Sequence, residues 1–269
     1  MVWSCLVSIL PGMAQTEKLT DYVNPFVGTD GYGNVYPGAQ IPFGGIQISP
    51  DTDSRFYDAA SGYKYNHLTL MGFSLTHLSG TGIPDLGDFL FIPGTGEMKL
   101  EPGTHEDPDQ GYRSRYSHDK EWASPNYYAV ELADYGVKAE MTSGVRSGMF
   151  RFTYPESDNA FIMIDMNHTL WQSCEWSNLR MINDSTITGY KLVKGWGPER
   201  HVYFTATFSK KLTGLRFVQD KKPVIYNTSR FRSSYEAWGK NLMACISFDT
   251  KAGEEVTVKT AISAVSTDG

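Results

Sequence analysis

The sequence predicts an all-β fold, an antiparallel β-sandwich with an irregular Gly/Pro-rich lobe ahead of it. Three observations point there. From residue 88 onward, short runs rich in β-branched and aromatic residues recur between turn signals. No stretch of comparable length carries a helical apolar stripe. Aromatic residues also reach 13% of the 269-residue chain, as 16 Tyr, 14 Phe and 6 Trp, and such rings are favoured on pleated, half-buried surfaces.

The first element is residues 2–10, an apolar run broken at Pro11 and followed by Gly12, Met13 and Ala14 before Gln15. That outline predicts the remnant of a signal peptide over 1–14 and export to the periplasm, the cell surface or beyond. No Lys or Arg precedes the run, which departs from the usual leader. The run is too short to cross a bilayer, so no membrane span is expected. Cys5, preceded by Val2-Trp3-Ser4, has no clear lipoprotein context, and lipidation there is the minor alternative. Once the leader is removed, Cys174 and Cys245 remain; they make one bridge or two buried thiols, and the fold cannot rest on a dense disulfide framework.

Residues 21–50 come next, crowded with glycine, proline and asparagine, as in Gly28-Thr29-Asp30-Gly31-Tyr32-Gly33-Asn34 and Ile41-Pro42-Phe43-Gly44-Gly45. This punctuation predicts ordered loops with special backbone angles. A phosphate cradle would need a strand before the loop and a helix after it, and neither is evident.

Strands are then predicted over 88–92, 127–132, 137–142, 147–154, 160–165, 186–194, 202–208, 215–218, 243–248 and 255–262. Alternation is clearest in the last, which places Val256, Val258, Thr260 and Ile262 on one face. With no repeat and no linker in view, residues 15–269 form one domain. The net charge of −6, with both signs interspersed, leaves no basic stripe for a phosphate backbone, so nucleic acid is not an expected partner. No CxxC pair or HExxH stretch marks a metal site.

Chemistry concentrates in residues 72–89. His77, Ser79, Gly80, Thr81, Gly82, Asp85 and Asp88 form the candidate substrate-binding set. The two glycines let backbone N–H groups approach a ligand, and the two carboxylates accept hydrogen bonds from sugar hydroxyls or hold a hard cation. The plainer alternative is that Asp85 and Asp88 cap turns and His77 is a satisfied structural histidine. A complete glycosidase needs two opposed carboxyl groups. Asp51, Asp53, Asp85, Asp88 and Glu121 are available, but no spacing proves a pair. In residues 112–118, alternation places Arg113 and Arg115 on one face, toward a partner or an acidic group or in a salt-bridged face, with Tyr112, Tyr116 and His118 on the other. His168, Trp171, Trp176, Trp196 and His201 receive no role.

Several of these segments together resemble the N-terminal domain of glycoside hydrolase family 92. The resemblance is carried by Asp21-Tyr22-Val23-Asn24-Pro25-Phe26-Val27-Gly28-Thr29, Tyr36-Pro37-Gly38-Ala39, Gln47-Ile48-Ser49-Pro50-Asp51-Thr52, Ser61-Gly62-Tyr63, and His77-Leu78-Ser79-Gly80-Thr81-Gly82 with Asp85-Leu86-Gly87-Asp88. It continues through Tyr127-Tyr128 and Tyr135-Gly136-Val137 to Ile262-Ser263-Ala264-Val265-Ser266. It implies a galactose-mutarotase-like sandwich that packs on an (α/α)6 barrel in an exo-acting, inverting, calcium-dependent α-mannosidase. It also implies α-mannosides or mannose-containing glycans as ligands. The catalytic acid, the base and the calcium ligands are then expected on the barrel, absent here, and none in this chain. The loop bearing Ser79 to Asp88 is expected to wall the mannose pocket. Where many members carry a tryptophan-rich stretch, this chain has Phe56-Tyr57-Asp58-Ala59-Ala60, which puts linkage preference in doubt. A stand-alone carbohydrate-binding module is the alternative function.

Overall fold

The computed structural model describes residues 17–54, 59–212, 214–225 and 236–269. The expected leader over 1–14 and residues 56–58 of the tryptophan-poor stretch lie outside the described residues. Among those described, strands pair into two large sheets and one small ribbon, and every pairing is antiparallel.

The seven-stranded sheet runs, in spatial order, through β1 (Ser49–Asp51), β3 (Gly72–Ser74), β4 (Leu90–Thr95), β10 (Ser157–Asp165), β17 (Leu242–Thr250), β14 (Arg216–Gln219) and β15 (Lys222–Pro223). The nine-stranded sheet runs through β16 (Glu236–Gly239), β11 (Ser173–Asn183), β12 (Thr186–Lys194), β13 (Arg200–Phe208), β18 (Glu254–Ser263), β9 (Ser147–Tyr154), β8 (Val137–Ser143), β7 (Tyr127–Leu132) and β6 (Glu121–Ser124). The ribbon joins β2 (Thr69–Leu70) to β5 (Ser114–Arg115).

Aromatic rings close the space between the two sheets. Phe91 of β4 meets Phe150 of β9 at 4.9 Å between centroids, and Phe89 meets Phe204 of β13 at 4.5 Å. Such offset and tilted pairs add to the burial of their own surface. The predicted strands at 127–132, 147–154 and 186–194 keep those bounds. Val256, Val258 and Thr260 are buried on one face of β18, with Ile262 partly buried against the same core. The short strands β1, β2, β3, β5, β6, β15 and β16 are not among those predicted. The longest strand missing from the sequence reading is β11, where the alternation of Ser-Cys-Glu-Trp breaks at Ser177-Asn178. A register shift between Cys174 and Trp176 accounts for the broken pattern.

The lobe before β1 is irregular, as expected, with one isolated bridge between Ala39 and Ile48. It is nevertheless part of the core, since Tyr36, Ala39, Ile46 and Ile48 are buried. Gly38 lies where an added Cβ would stand 2.1 Å from the Ile48 carbonyl oxygen, so only glycine lets the two segments pair. Cys174 and Cys245 are both free and buried. Burial pushes the Cys245 thiol up to about 11.

Candidate functional site

Residues 75–89 link β3 to β4, and their two ends are tied together. Leu75 N–H donates to the Asp88 carbonyl at 2.8 Å, and Gly87 N–H donates to the Thr76 carbonyl at 2.8 Å. Gly87 has φ +76°, and an added Cβ would come within 2.7 Å of Leu170, so glycine is required where this loop meets residues 169–171.

Asp88 is the buried hub of this base. Its carboxylate accepts hydrogen bonds from Arg200 at 2.5 and 3.2 Å and from Thr76 at 2.7 Å, and it lies 3.1 Å from the Lys191 ammonium. Lys191 is itself buried and donates to the His168 carbonyl at 2.6 Å. Burial alone would raise the Asp88 carboxyl, but the Lys191 and Arg200 charges outweigh it and hold it at about 2.

A second hub is Asp51, the last residue of β1. Its two oxygens accept from His77 Nε2 at 2.8 Å and His168 Nε2 at 2.9 Å. The other His77 nitrogen meets the Gln47 carbonyl at 2.7 Å. Burial pushes Asp51 up, and the two imidazoles overcome it, leaving the carboxyl well below its usual range. Gly62 packs against this pair at φ +85°; a Cβ there would stand 2.1 Å from Asp51 Oδ1. The Ser-Gly-Tyr motif, the Pro-Asp-Thr motif and the His77 loop thus meet at one point.

The seven candidate residues therefore divide. His77 and Asp88 are enclosed and committed to protein partners. Asp85 is mostly buried and accepts from the N–H groups of Leu86 at 2.6 Å and Trp196 at 3.3 Å. Ser79, Gly80 and Gly82 are exposed, and Thr81 donates to the Ile83 carbonyl at 3.1 Å. Gly80 N–H donates to the Asn34 carbonyl at 2.7 Å, which sets the tip beside the glycine-rich lobe. Tyr32, Ile83 and Trp196 are exposed apolar side chains. The residues that sequence reasoning missed are Lys191, Arg200, His168 and Asn34; no local pattern marks them, because their partners are distant in sequence.

The run over 112–118 does not present two arginines on one face. Only Ser114 and Arg115 are in a strand. Arg113 is buried and donates to the Thr52 carbonyl at 2.6 Å, whereas Arg115 is half exposed and bridges Asp109 and Asp134 at 2.8–2.9 Å. The inward turn of Arg113 satisfies buried backbone carbonyls, and that requirement overrides the alternation. Glu121 accepts from Tyr128 at 2.6 Å, His118 at 2.6 Å and Tyr63 at 2.9 Å.

Each of the sequence's candidate carboxylates meets protein partners. Asp51, Asp85, Asp88 and Glu121 are engaged as above, and Asp53 faces His105 at 3.3 Å. Among the described residues, no group of three or more His, Cys, Asp or Glu is placed to hold a metal ion. Asp51 and Asp88 are poorly suited to a calcium ion, since both oxygens of each already meet protein donors.

A family model for the glycosyl hydrolase family 92 N-terminal domain matches residues 22–263. The chain belongs to glycosyl hydrolase family 92. A solved family 92 glycosyl hydrolase, ccman5, superimposes with a TM-score of 0.76 at 26% identity, covering 93% of this chain and 33% of that one. An inverting mannosidase of family 92 from Bacteroides thetaiotaomicron gives 0.75 at 24% identity over 94% of this chain and 33% of its own, a likeness of fold. An uncharacterized secreted glycosidase of Arthroderma benhamiae is 30% identical over 139 residues, 51% of this chain and 17% of that protein. The chain thus spans about a third of the solved family 92 structures. No helix among the described residues is long and apolar enough to cross a membrane.

Proposed function

We propose that this family 92 domain is the N-terminal sandwich of an exo-acting, inverting α-mannosidase and supplies one wall of its mannose pocket. The observation that carries this reading is the presentation of residues 79–82. Two buried ionic hubs lock the base of the loop, while its tip stays exposed beside Asn34 with no partner for the Ser79 side chain among the described hydrogen bonds. Rigid bases with free tips are how scaffolds hold binding loops.

Catalysis itself falls to residues outside this chain. Inversion needs an acid and a base roughly 6.5–9.5 Å apart around the scissile bond, and each candidate carboxylate here is occupied by protein donors. Calcium, which the family resemblance implies, would likewise be held elsewhere. Mannosides as substrates draw support from the inverting mannosidase that shares the fold. Export draws support from the secreted glycosidase among the relatives.

The test compares residues 1–269 with a protein extended through the following reading frame, measuring calcium-dependent mannose release from an α-linked mannobiose. Release by the extended protein alone is expected. Release by the short chain would return the acid and base to this domain and overturn the assignment. A stand-alone binding module instead predicts millimolar or tighter mannobiose affinity in the short chain, which an open half-pocket does not provide.

A further inference from the structure

The outer face of the nine-stranded sheet carries an uncharged aromatic row that the mannose pocket does not use. Cross-strand register aligns Trp238 of β16, Asn178 of β11, Tyr190 of β12 and Tyr203 of β13. The neighbouring row pairs Trp176 with Leu192 and Leu192 with His201. Trp238 and Trp176 are about half exposed, and diagonal cross-strand neighbours on one face lie roughly 7–8 Å apart. Tyr190 and Tyr203 have centroids 4.8 Å apart, and the Tyr190 hydroxyl meets His201 Nδ1 at 2.9 Å.

We propose that this strip is a docking platform for an extended neutral glycan, continuing the mannose-pocket reading outward along the same hairpin. Four properties select that occupant. The rings lie on a flat sheet face rather than in a cavity, which suits a chain of sugars more than one enclosed residue. One ring per strand gives a spacing set by the interstrand distance of about 4.8 Å, close to the size of a single pyranose, so successive sugars find successive rings. The phenols and the imidazole supply hydrogen-bond groups, whereas the Asn178 amide is buried and donates to Glu236 and the Ala237 carbonyl; the two rows themselves hold no formal carboxylate or ammonium, which disfavours a charged partner. The platform also leads somewhere: β12 and β13 continue from Tyr190 and His201 to the hairpin that brings Arg200 to Asp88 and Trp196 to Asp85.

The rings act through area and stacking, so removing them weakens binding without touching the core. The measurement is retention of the 269-residue chain in affinity electrophoresis through soluble yeast mannan, with laminarin in a parallel gel. The wild-type chain is retained by at least one glycan. A Trp176→Ala/Trp238→Ala variant with unchanged circular dichroism requires about tenfold more glycan for equal retention, and Trp122→Ala, an exposed tryptophan at the far edge of the same sheet, behaves as wild type. No retention of the wild type, equal retention of the double variant, or equal loss in Trp122→Ala overturns the platform. Retention by laminarin alone keeps the platform and counts against mannosides. In the extended protein the double variant should slow cleavage of mannan and leave mannobiose cleavage unchanged. Loss of both activities together would place these rings in the pocket instead of on a separate platform.

Discussion

The two sheets of this sandwich are built on different rules. In the seven-stranded sheet, β10 buries Ala160, Phe161, Ile162, Met163 and Ile164 in succession, so both of its faces are covered. Its outer side holds a second apolar cluster of Met71, Leu90, Ile92, Phe161 and Met163, over which Met98, Leu100 and Tyr135 pack. In the nine-stranded sheet, β9 alternates strictly, with Phe150 and Phe152 inside and Arg151 outside. A strand covered on both sides, as β10 is, presents no free face. The alternating sheet keeps one, and there the aromatic strip lies.

The strongest test of that contrast is at the buried ionic base joining the sheets. Replacing Asp88 by Ala strands the Lys191 ammonium in the core, and denaturant unfolding should show a loss of about 3–5 kcal/mol. A loss as small as that of a surface substitution would mean that water reaches Lys191. Next come adjacent residues of β10. Ile162→Ala and Met163→Ala point to opposite faces, and each should lose about 2–5 kcal/mol, whereas Thr153→Ala on the outer side of β9 should stay within about 0.5 kcal/mol. Equal tolerance at Met163 and Thr153 would remove the distinction between the sheets.

Gly62→Ala sharpens the comparison at the Asp51 hub. The methyl group meets Asp51 Oδ1 and the backbone holds φ +85°, so thermal unfolding should report a loss of about 1–3 kcal/mol. Acid provides a related test. Asp88 is held at about 2 in the folded chain, below the ordinary carboxylate value of about 3.9. A group depressed on folding stabilises fully above its unfolded value and loses that contribution as the pH falls through the folded one. Stability should therefore hold down to about pH 4 and decline toward about pH 2, with a shallower decline in Asp88→Asn. The smallest effect on stability belongs to Ser79→Ala, within about 0.5 kcal/mol. In the extended protein the same change should lower kcat/KM for mannobiose while the unfolding midpoint stays in place.

Much of the fold was legible because a strand with one wet face writes its burial into every second residue. β9 and β18 show this most clearly. β10 was found as an apolar run, but its two covered faces were not, since periodicity says nothing once both sides are apolar. The site was legible as a motif and not as a geometry. His77, Asp85 and Asp88 carry the side chains that a sugar site would use, and the same side chains serve a buried network equally well. The partner deciding the matter for Asp88 is Arg200, 112 residues away, and for Asp51 it is His168, 117 residues away.

By itself, then, the amino-acid order determined the all-β class, the irregular lobe, the faces of the alternating strands and the family motifs, since each depends on local backbone preference or a short period. Only the tertiary structure decided that Asp51 and Asp88 centre two buried ionic networks, that residues 79–82 form the exposed tip, and that Trp238, Tyr190 and Tyr203 share a row. Charge compensation and cross-strand register act through space, between segments whose separation along the chain carries no record of their contact.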